Sequence, residues 1–550
     1  MKKKVLVTIL SILVIIGVFV ISDKKGQGIV DRDRMKEVVD DINPLEQKKD
    51  GHAGVSASHP AAVEVGIDVL ENGGNAVDAA IAVSYVLSVV EPYASGIGGG
   101  GETLIYAEDM EPVSYQYKEV SPQSGDIPAN FTGVPGFVKG MEKMHEDFGA
   151  LPIEELIEPA ITYAEEGFKM NEDLRERLAF ASYRLPIDQL PHLFTNGEPA
   201  PKGTVIKQPE LAETLRTIQQ GGADAFYKGE IGARLVEHVD HLTTEDLEQY
   251  AAVTSEPVQG EFNGYEVYSA TPPLSGTTLI QALGMAEQYE DVLTDEQIAE
   301  TDYIHLISEI SKRAYKERQR KIGDPHFYDM DTEQLVSEQY IKQLAQSIDT
   351  EEISTDFEIN DSPADEKDYD NTTHFVIIDH SGMVVSTTNT LSNFFGSGDY
   401  VDGYFLNNAL ENFSTTESSR NYREGGKSPR SFIAPTILVN DEQVIGIGSP
   451  GGKRIPSILT DVLVQTILLD RDIEEVVEQP RFFAEKDDLY MEEGFSEETR
   501  NELLNRGYHI YINEISTYFG GIQMLSLNKA NEKIVGIADS RRDGDWDVAE

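Results

Sequence analysis

Asn371-Thr372-Thr373-His374-Phe375-Val376-Ile377-Ile378-Asp379 leads from an acidic, unpatterned stretch straight into a segment with the composition of a β-strand. His380-Ser381-Gly382 turns the chain and Met383–Thr390 returns it. A hairpin with a three-residue loop is centred on Ser381, so opposed residue numbers sum to 2 × 381 = 762. That register sets Thr372 against Thr390 at the open end. On spacing alone the pair reads as a common stabilising cross-strand contact. The surroundings favour chemistry. Ser449-Pro450-Gly451-Gly452 follows a β-rich run, and a Gly-Gly pair after proline presents successive backbone N–H groups to one oxygen, as a tetrahedral oxyanion requires. The bland alternative for that segment is a plain turn.

The elements that must hold these residues are legible in part. Pro60 to Asn72 carries Val63, Ile67 and Leu70 at helical spacing and closes at Gly73-Gly74. Asn75 caps Ala76 to Val90, apolar nearly all round and too short for a lone membrane span, hence a core helix. Ser95-Gly96-Ile97-Gly98-Gly99-Gly100-Gly101 invites a phosphate-loop reading, but Glu102 follows where Lys-Ser/Thr would be needed, so close backbone packing is the better account. Helical patterns dominate from 150 to 350, among them Ile153–Gly167 and Tyr303–Arg320. Residues 351–371 are acidic and aperiodic. Strand-like segments after them are Thr373–Asp379, Met383–Thr390, Thr436–Val439 and Val444–Gly448.

Composition narrows the classes. Lys plus Arg total 45 against 97 Asp plus Glu, and 45 − 97 gives −52, a charge that repels nucleic acid and anionic lipid. With no cysteine there are no disulfides, no thiolate metal sites and no Cys nucleophile, and no cofactor or metal is expected. Lys2, Lys3 and Lys4 precede an apolar run from Val5 to Ile21, the pattern of a signal peptide or signal anchor over residues 1–22. Residues 23–50 read as a charged linker, so any membrane contact is expected through the N-terminal segment alone and the location is extracellular, cell-surface or membrane-anchored on a bacterium.

Gly73-Gly74-Asn75-Ala76-Val77-Asp78-Ala79-Ala80, Gly98 to Gly101, Gly133-Val134-Pro135-Gly136, Thr372-Thr373-His374, Asn407-Asn408, Pro435-Thr436 and Ser449 to Gly452 occur in this order over roughly residues 51–550. On these motifs the chain resembles the γ-glutamyltransferases, most closely the branch that depolymerises poly-γ-glutamate capsule. The resemblance implies an α/β fold, the αββα four-layer sandwich of N-terminal-nucleophile hydrolases. It implies self-cleavage between Asn371 and Thr372 into a large subunit, 51–371, and a small catalytic subunit, 372–550, which remain together as a heterodimer. Thr372 would be nucleophile and, through its freed amine, base; Thr390 would orient it; Gly451 and Gly452 would form the oxyanion hole. With the amine as base, His374 is expected to be structural.

Several positions depart from the pattern of the glutathione-acting members. Asn412 stands where an acidic residue grips the donor's α-ammonium, Ala409 where a glutamine is usual, and Ser431-Phe432 where two serines bind the α-carboxylate. Lys118, followed by Glu119, replaces the carboxylate-binding arginine. A γ-glutamyl unit inside a polymer has no free α-amine, so these losses suit poly-γ-glutamate better than glutathione, and the short, polar Ser414–Lys427 segment leaves the cleft open to a chain. Lys427, Arg430, Lys453, Arg454, Arg541 and Arg542 are cations near the inferred site; Arg454 matches a binding position, Arg541 and Arg542 are binding candidates, and Lys453 reads as a solvated turn residue. The substrates expected are a γ-glutamyl polymer or peptide with water or an amine as acceptor. A glutathione hydrolase/transpeptidase and a silent surface-anchored homologue are the alternatives.

Overall fold

The computed structural model describes residues 51–295, 297–355 and 371–549. The N-terminal apolar run, the linker and most of the acidic approach to Thr372 lie outside the described residues.

Strand alternation decides the layers. In Asn371–Ile378, Phe375 and Ile377 join one apolar cluster while Val376 and Ile378 join another. Successive side chains of a strand point to opposite faces, so both faces are buried, and its second half, Phe375 to Ile378, is apolar throughout. It lies third in a seven-stranded antiparallel sheet whose spatial order is 545–549, 53–57, 371–378, 384–392, 100–107, 110–116, 253–255. A six-stranded antiparallel sheet faces it, ordered 534–538, 523–528, 443–448, 436–439, 265–269, 258–262. Leu104, Val376, Val384, Ile437 and Val444 fill the space between them. Helices Pro60–Glu71 and Ala76–Val90 cover the outside of the first sheet, and Gly276–Glu287, Glu300–Lys321 and Ile455–Leu463 cover the second. The architecture is the expected αββα sandwich. Segments before and after residue 372 interleave, since 53–57 pairs with both 371–378 and 545–549.

The hairpin keeps its expected register from Thr373 opposite Asn389 to Ile378 opposite Val384. Its loop closes where the Asp379 N–H donates to the Met383 carbonyl, and Gly382 takes φ 82°. At the open end the ladder shifts: Asn371 lies opposite Ser392, and Thr372 occupies the irregularity.

Helix Ala76–Val90 runs behind this hairpin. Asn75 and Asp78 form a reciprocal capping box at its start, and the Ala76 N–H donates to Asp379 Oδ2 in the hairpin turn at 2.9 Å. Fifteen residues at ~1.5 Å each give about 22 Å, close to the ~20 Å between Asp379 and Thr373 in an extended strand. The helix therefore spans the strand from its turn to the Thr373 end.

The glycine run packs as expected. A side chain at Gly98, Gly99, Gly100 or Gly101 would strike the carbonyl oxygens of Phe405, Thr390, Tyr117 and Thr388 respectively. Helices dominate 150–350 as expected, but short strands interrupt them, and Val258–Phe262 and Tyr265–Ser269 belong to the second sheet, joined by Asn263-Gly264 at φ 46° and 79°. That is the two-residue turn whose positive φ at both positions favours Asn-Gly.

Candidate active site

Thr372 shares the face of Val376 and Ile378, which looks into the space between the sheets. Its hydroxyl donates to Thr390 Oγ1 across 3.4 Å, with both residues buried. The Ser392 N–H donates to the same Thr390 oxygen at 2.9 Å. This donation occupies a lone pair on Thr390 and polarises its O–H, which strengthens that hydroxyl as a donor.

Strand Gln443–Gly448 crosses above in the facing sheet. A side chain at Gly446 would meet Val376 Cγ1 at 2.5 Å, and one at Gly448 would press on the His374 ring. Two steps forward along the upper strand thus correspond to two steps back along the lower one. The upper strand ends at Gly448, and Ser449-Pro450 leads from it into the turn at Gly451-Gly452. Gly451 has φ 139° and ψ 14°, Gly452 has φ 55°, and a 3-10 turn at Gly452–Arg454 runs into helix Ile455–Leu463. N–H groups at such a start lack intrahelical acceptors and carry the positive end of the helix dipole. Ser449 accepts from the Gly521 N–H at 3.1 Å and pins the approach to this turn.

His374 faces the same space but is built in. Its Nδ1 pairs with Thr388 Oγ1 at 2.8 Å, Gly448 lies on its ring, and burial pulls its pKa down to about 3. The neutral ring fits the structural role read from the sequence. Its folded pKa lies below the ordinary imidazole value of 6.5, so the unfolded chain binds more protons below pH 6.5 and stability falls as pH drops towards 3. His374→Gln is expected to lose melting temperature less steeply than the parent between pH 6.5 and pH 4, as followed by calorimetry.

The gamma-glutamyltranspeptidase family model matches residues 62–549. The chain belongs to the gamma-glutamyltranspeptidase family. It is 44% identical to the capsule biosynthesis protein CapD proenzyme of Bacillus anthracis, over 94% of this chain and 93% of that protein. It is 31% identical to the glutathione hydrolase proenzyme of Bacillus subtilis strain 168, over 92% of each. Cephalosporin acylase from Bacillus halodurans shares the fold, with TM-score 0.82 at 23% identity over 92% of this chain and 98% of that one. The protein is thus a γ-glutamyl-transferring or γ-glutamyl-hydrolysing enzyme. Among the described residues no helix is long and apolar enough to cross a membrane.

Other motifs of this gamma-glutamyltranspeptidase family member brace the segments around the hairpin. The Asn407 amide bridges the Gly98 and Gly133 carbonyls at 2.8 and 3.0 Å, and its oxygen accepts from the Gly133 and Ala409 N–H groups. Asn408 Oδ1 accepts from the Asn393 N–H, tying the chain beyond Thr390 to the 3-10 turn Ala409–Asn412. Asn412 ends that turn, and its carbonyl accepts from Asn421 Nδ2 at 2.6 Å. The Ser431 carbonyl accepts from Ser275 Oγ and Arg318. The Arg318 guanidinium lies 3.9 Å above the Phe432 ring centre.

Most of the candidate cations are already engaged by the protein. Arg541 donates to both oxygens of Glu492 and to the Val477 and Gln479 carbonyls, with Asp539 beside it. Arg542 is buried near Glu91 and Tyr93, and desolvation pulls its pKa to about 10. Arg430 donates to the Arg318 carbonyl and Ser419, while Lys427 donates to the Tyr422 carbonyl and Glu424 beneath Tyr328. Arg454 lies 3.8 Å over the Tyr518 ring centre and donates to that residue's carbonyl. Lys453 is 9% exposed and paired with Glu485 at 2.7 Å, not a solvated turn residue as its sequence suggested. The cause is local: Lys453 enters the buried start of a helix, where only a carboxylate partner makes an ammonium tolerable.

Lys118 pairs with Glu119 at 2.5 Å in full burial. It borders a cavity of about 210 Å³ shared with Gln116, Gln123, Asp246, Tyr250 and Asp324. None of Thr372, Thr390, Asn412, Ser431, Gly451 or Gly452 lines that cavity. Two residues at the site carried no sequence signal strong enough to single them out: Ser58, before the first helix, and Glu91, the charge that closes the apolar helix Ala76–Val90.

Proposed function

We propose that the chain cleaves its own Asn371–Thr372 bond and then breaks poly-γ-glutamate by acyl transfer through Thr372. The observation that carries this reading is the hydroxyl pair of Thr372 and Thr390, 3.4 Å apart at the start of a strand that opens between two sheets. In self-cleavage, Thr372 Oγ attacks the Asn371 carbonyl carbon, the acyl group moves from nitrogen to oxygen, and water hydrolyses the ester. Asn371 is left with a carboxylate and Thr372 with a free α-amine. An unperturbed α-amine has a pKa of about 7.7–8.0, suited to a general base near neutral pH.

In turnover that amine takes the Thr372 hydroxyl proton as the oxygen attacks a γ-glutamyl carbonyl. Gly451 and Gly452 N–H groups hold the oxyanion, and Thr390 donates to the attacking oxygen. Collapse expels the amine of the next residue, which collects the proton, and leaves a γ-glutamyl ester on Thr372. Water or an amine acceptor then releases the acyl group. The interleaved sheets keep the 51–371 and 372–550 chains associated, because separation would expose two apolar layers to water. The Lys2–Ile21 segment supports action at the cell surface.

Asn412 argues for the polymer. A neutral amide accepts from an acylated nitrogen without requiring a positive charge, and the 44% identical relative is named for capsule biosynthesis. Incubation of the purified protein with poly-γ-glutamate, followed by size exclusion, should show progressive shortening. Unchanged length with rapid glutathione turnover would overturn the assignment in favour of a glutathione hydrolase, the reading that the 31% identical relative supports. Asn412→Asp provides an internal check. A charged hydrogen bond is worth about 1.5–3 kcal/mol, so this variant should gain about tenfold or more in kcat/KM for glutathione and lose activity on the polymer.

A further inference from the structure

Thr372 is the one strand residue the mechanism must fix, yet it sits where the ladder shifts register. After cleavage it would be a chain terminus, joined to the fold by a single peptide bond to Thr373. Chain ends fray unless something ties them down.

Thr373 is the first residue in regular register, opposite Asn389. It shares a face with Phe375 and Ile377, turned towards the helices. There its hydroxyl meets Ser58 Oγ at 2.5 Å, and Ser58 donates to Glu91 Oε2 at 2.8 Å. Tyr93 donates to the other oxygen of Glu91 at 3.0 Å. Ser58, Thr373 and Glu91 are all buried. Glu91 is the residue that ends helix Ala76–Val90, whose first N–H is held by Asp379 in the hairpin turn. One helix therefore grips the Thr372 strand at both ends.

We propose that Ser58 and Glu91 form a positioning clamp on Thr373, which holds the Thr372 terminus in its attacking geometry. With Ser58 donating to Glu91, the Thr373 hydroxyl donates to Ser58, and the chain of donors runs one way into the carboxylate. Burial raises the Glu91 pKa, while Ser58, Thr373, Arg542 and Tyr93 oppose that rise. The clamp touches neither substrate nor the reacting atoms. It acts through the backbone of residue 373, and a displacement near 1 Å at a reacting centre costs on the order of 100-fold in rate.

The inference rests on Thr372 being the nucleophile. Thr373→Val keeps shape and volume but removes the hydroxyl; Thr373→Ser restores it. On poly-γ-glutamate, the processed Thr373→Val enzyme should lose about tenfold or more in kcat with KM within about threefold, and Thr373→Ser should recover most of that loss. Combining Thr373→Val with Ser58→Ala should be no worse than the weaker single variant, because the two remove one device. The clamp is refuted if Thr373→Val keeps kcat within twofold, if Val and Ser variants fall equally, or if the double loss is the product of the single losses. A Thr372→Ala control separates failures: turnover in that protein would remove the nucleophile assignment itself, whatever Thr373 does.

Discussion

Thr372→Ala is expected to yield a chain uncut between residues 371 and 372 and to reduce turnover by at least about 10⁴-fold, the scale seen when a nucleophile is removed. Both effects follow from one atom. Thr372 Oγ1 is the group that would attack the Asn371 carbonyl and later the γ-glutamyl carbonyl, and Thr390 Oγ1, its partner across the hairpin, is 3.4 Å away. Alanine leaves the strand intact, since the regular ladder begins at Thr373. The variant should fold and melt near the parent while neither cutting itself nor turning over. Gel electrophoresis, calorimetry and a polymer assay on one preparation check all three. Thr372→Ser, which keeps hydroxyl and future amine, should retain self-cleavage.

Gly451→Ala has the second-largest expected effect, a fall of about 100- to 1000-fold in kcat, the cost of losing one oxyanion donor. At φ 139° a residue with a Cβ is strained, and the turn relaxes by moving its N–H groups. No neighbour blocks the added methyl closely, the nearest atom being Gly520 Cα at 3.4 Å. The loss should therefore come from backbone geometry and not from a clash. Self-cleavage and turnover both pass through a tetrahedral oxyanion, but the same turn need not serve both. The loss is expected in kcat, with KM changed little. An alanine variant with full kcat would remove Gly451 and Gly452 from the mechanism.

The hairpin shows how far local sequence reaches. Its register follows from a three-residue loop around Ser381, because every pairing from 373 to 378 is counted from that turn. The fold class was legible because the Gly-Gly-Asn-Ala-Val-Asp and Ser-Pro-Gly-Gly motifs occur in order, and the structure gives each a mechanical task. Asn75 and Asp78 cap the helix behind the hairpin, and the glycines from 98 to 101 let backbone press against the Thr390 and Thr388 carbonyls.

The Val258–Ser269 hairpin carries a turn signal in Asn263-Gly264, but its strands alternate apolar and polar only briefly and lie among long helical patterns, so the hairpin is not among the strands read from the sequence. Partnership was not legible. Nothing adjacent in sequence to Arg541 announces Glu492, or to Lys453 announces Glu485, so cations that looked available for a polyanion are held inside the fold. Ser58 and Glu91 meet Thr373 only because the strand at 53–57 pairs with 371–378. That contact is created by topology.

The most direct test is N-terminal sequencing, with intact mass, of the smaller fragment in an active preparation. The account predicts a chain that starts with Thr372 and runs 550 − 371 = 179 residues. Active enzyme in which the bond between Asn371 and Thr372 is intact would contradict it.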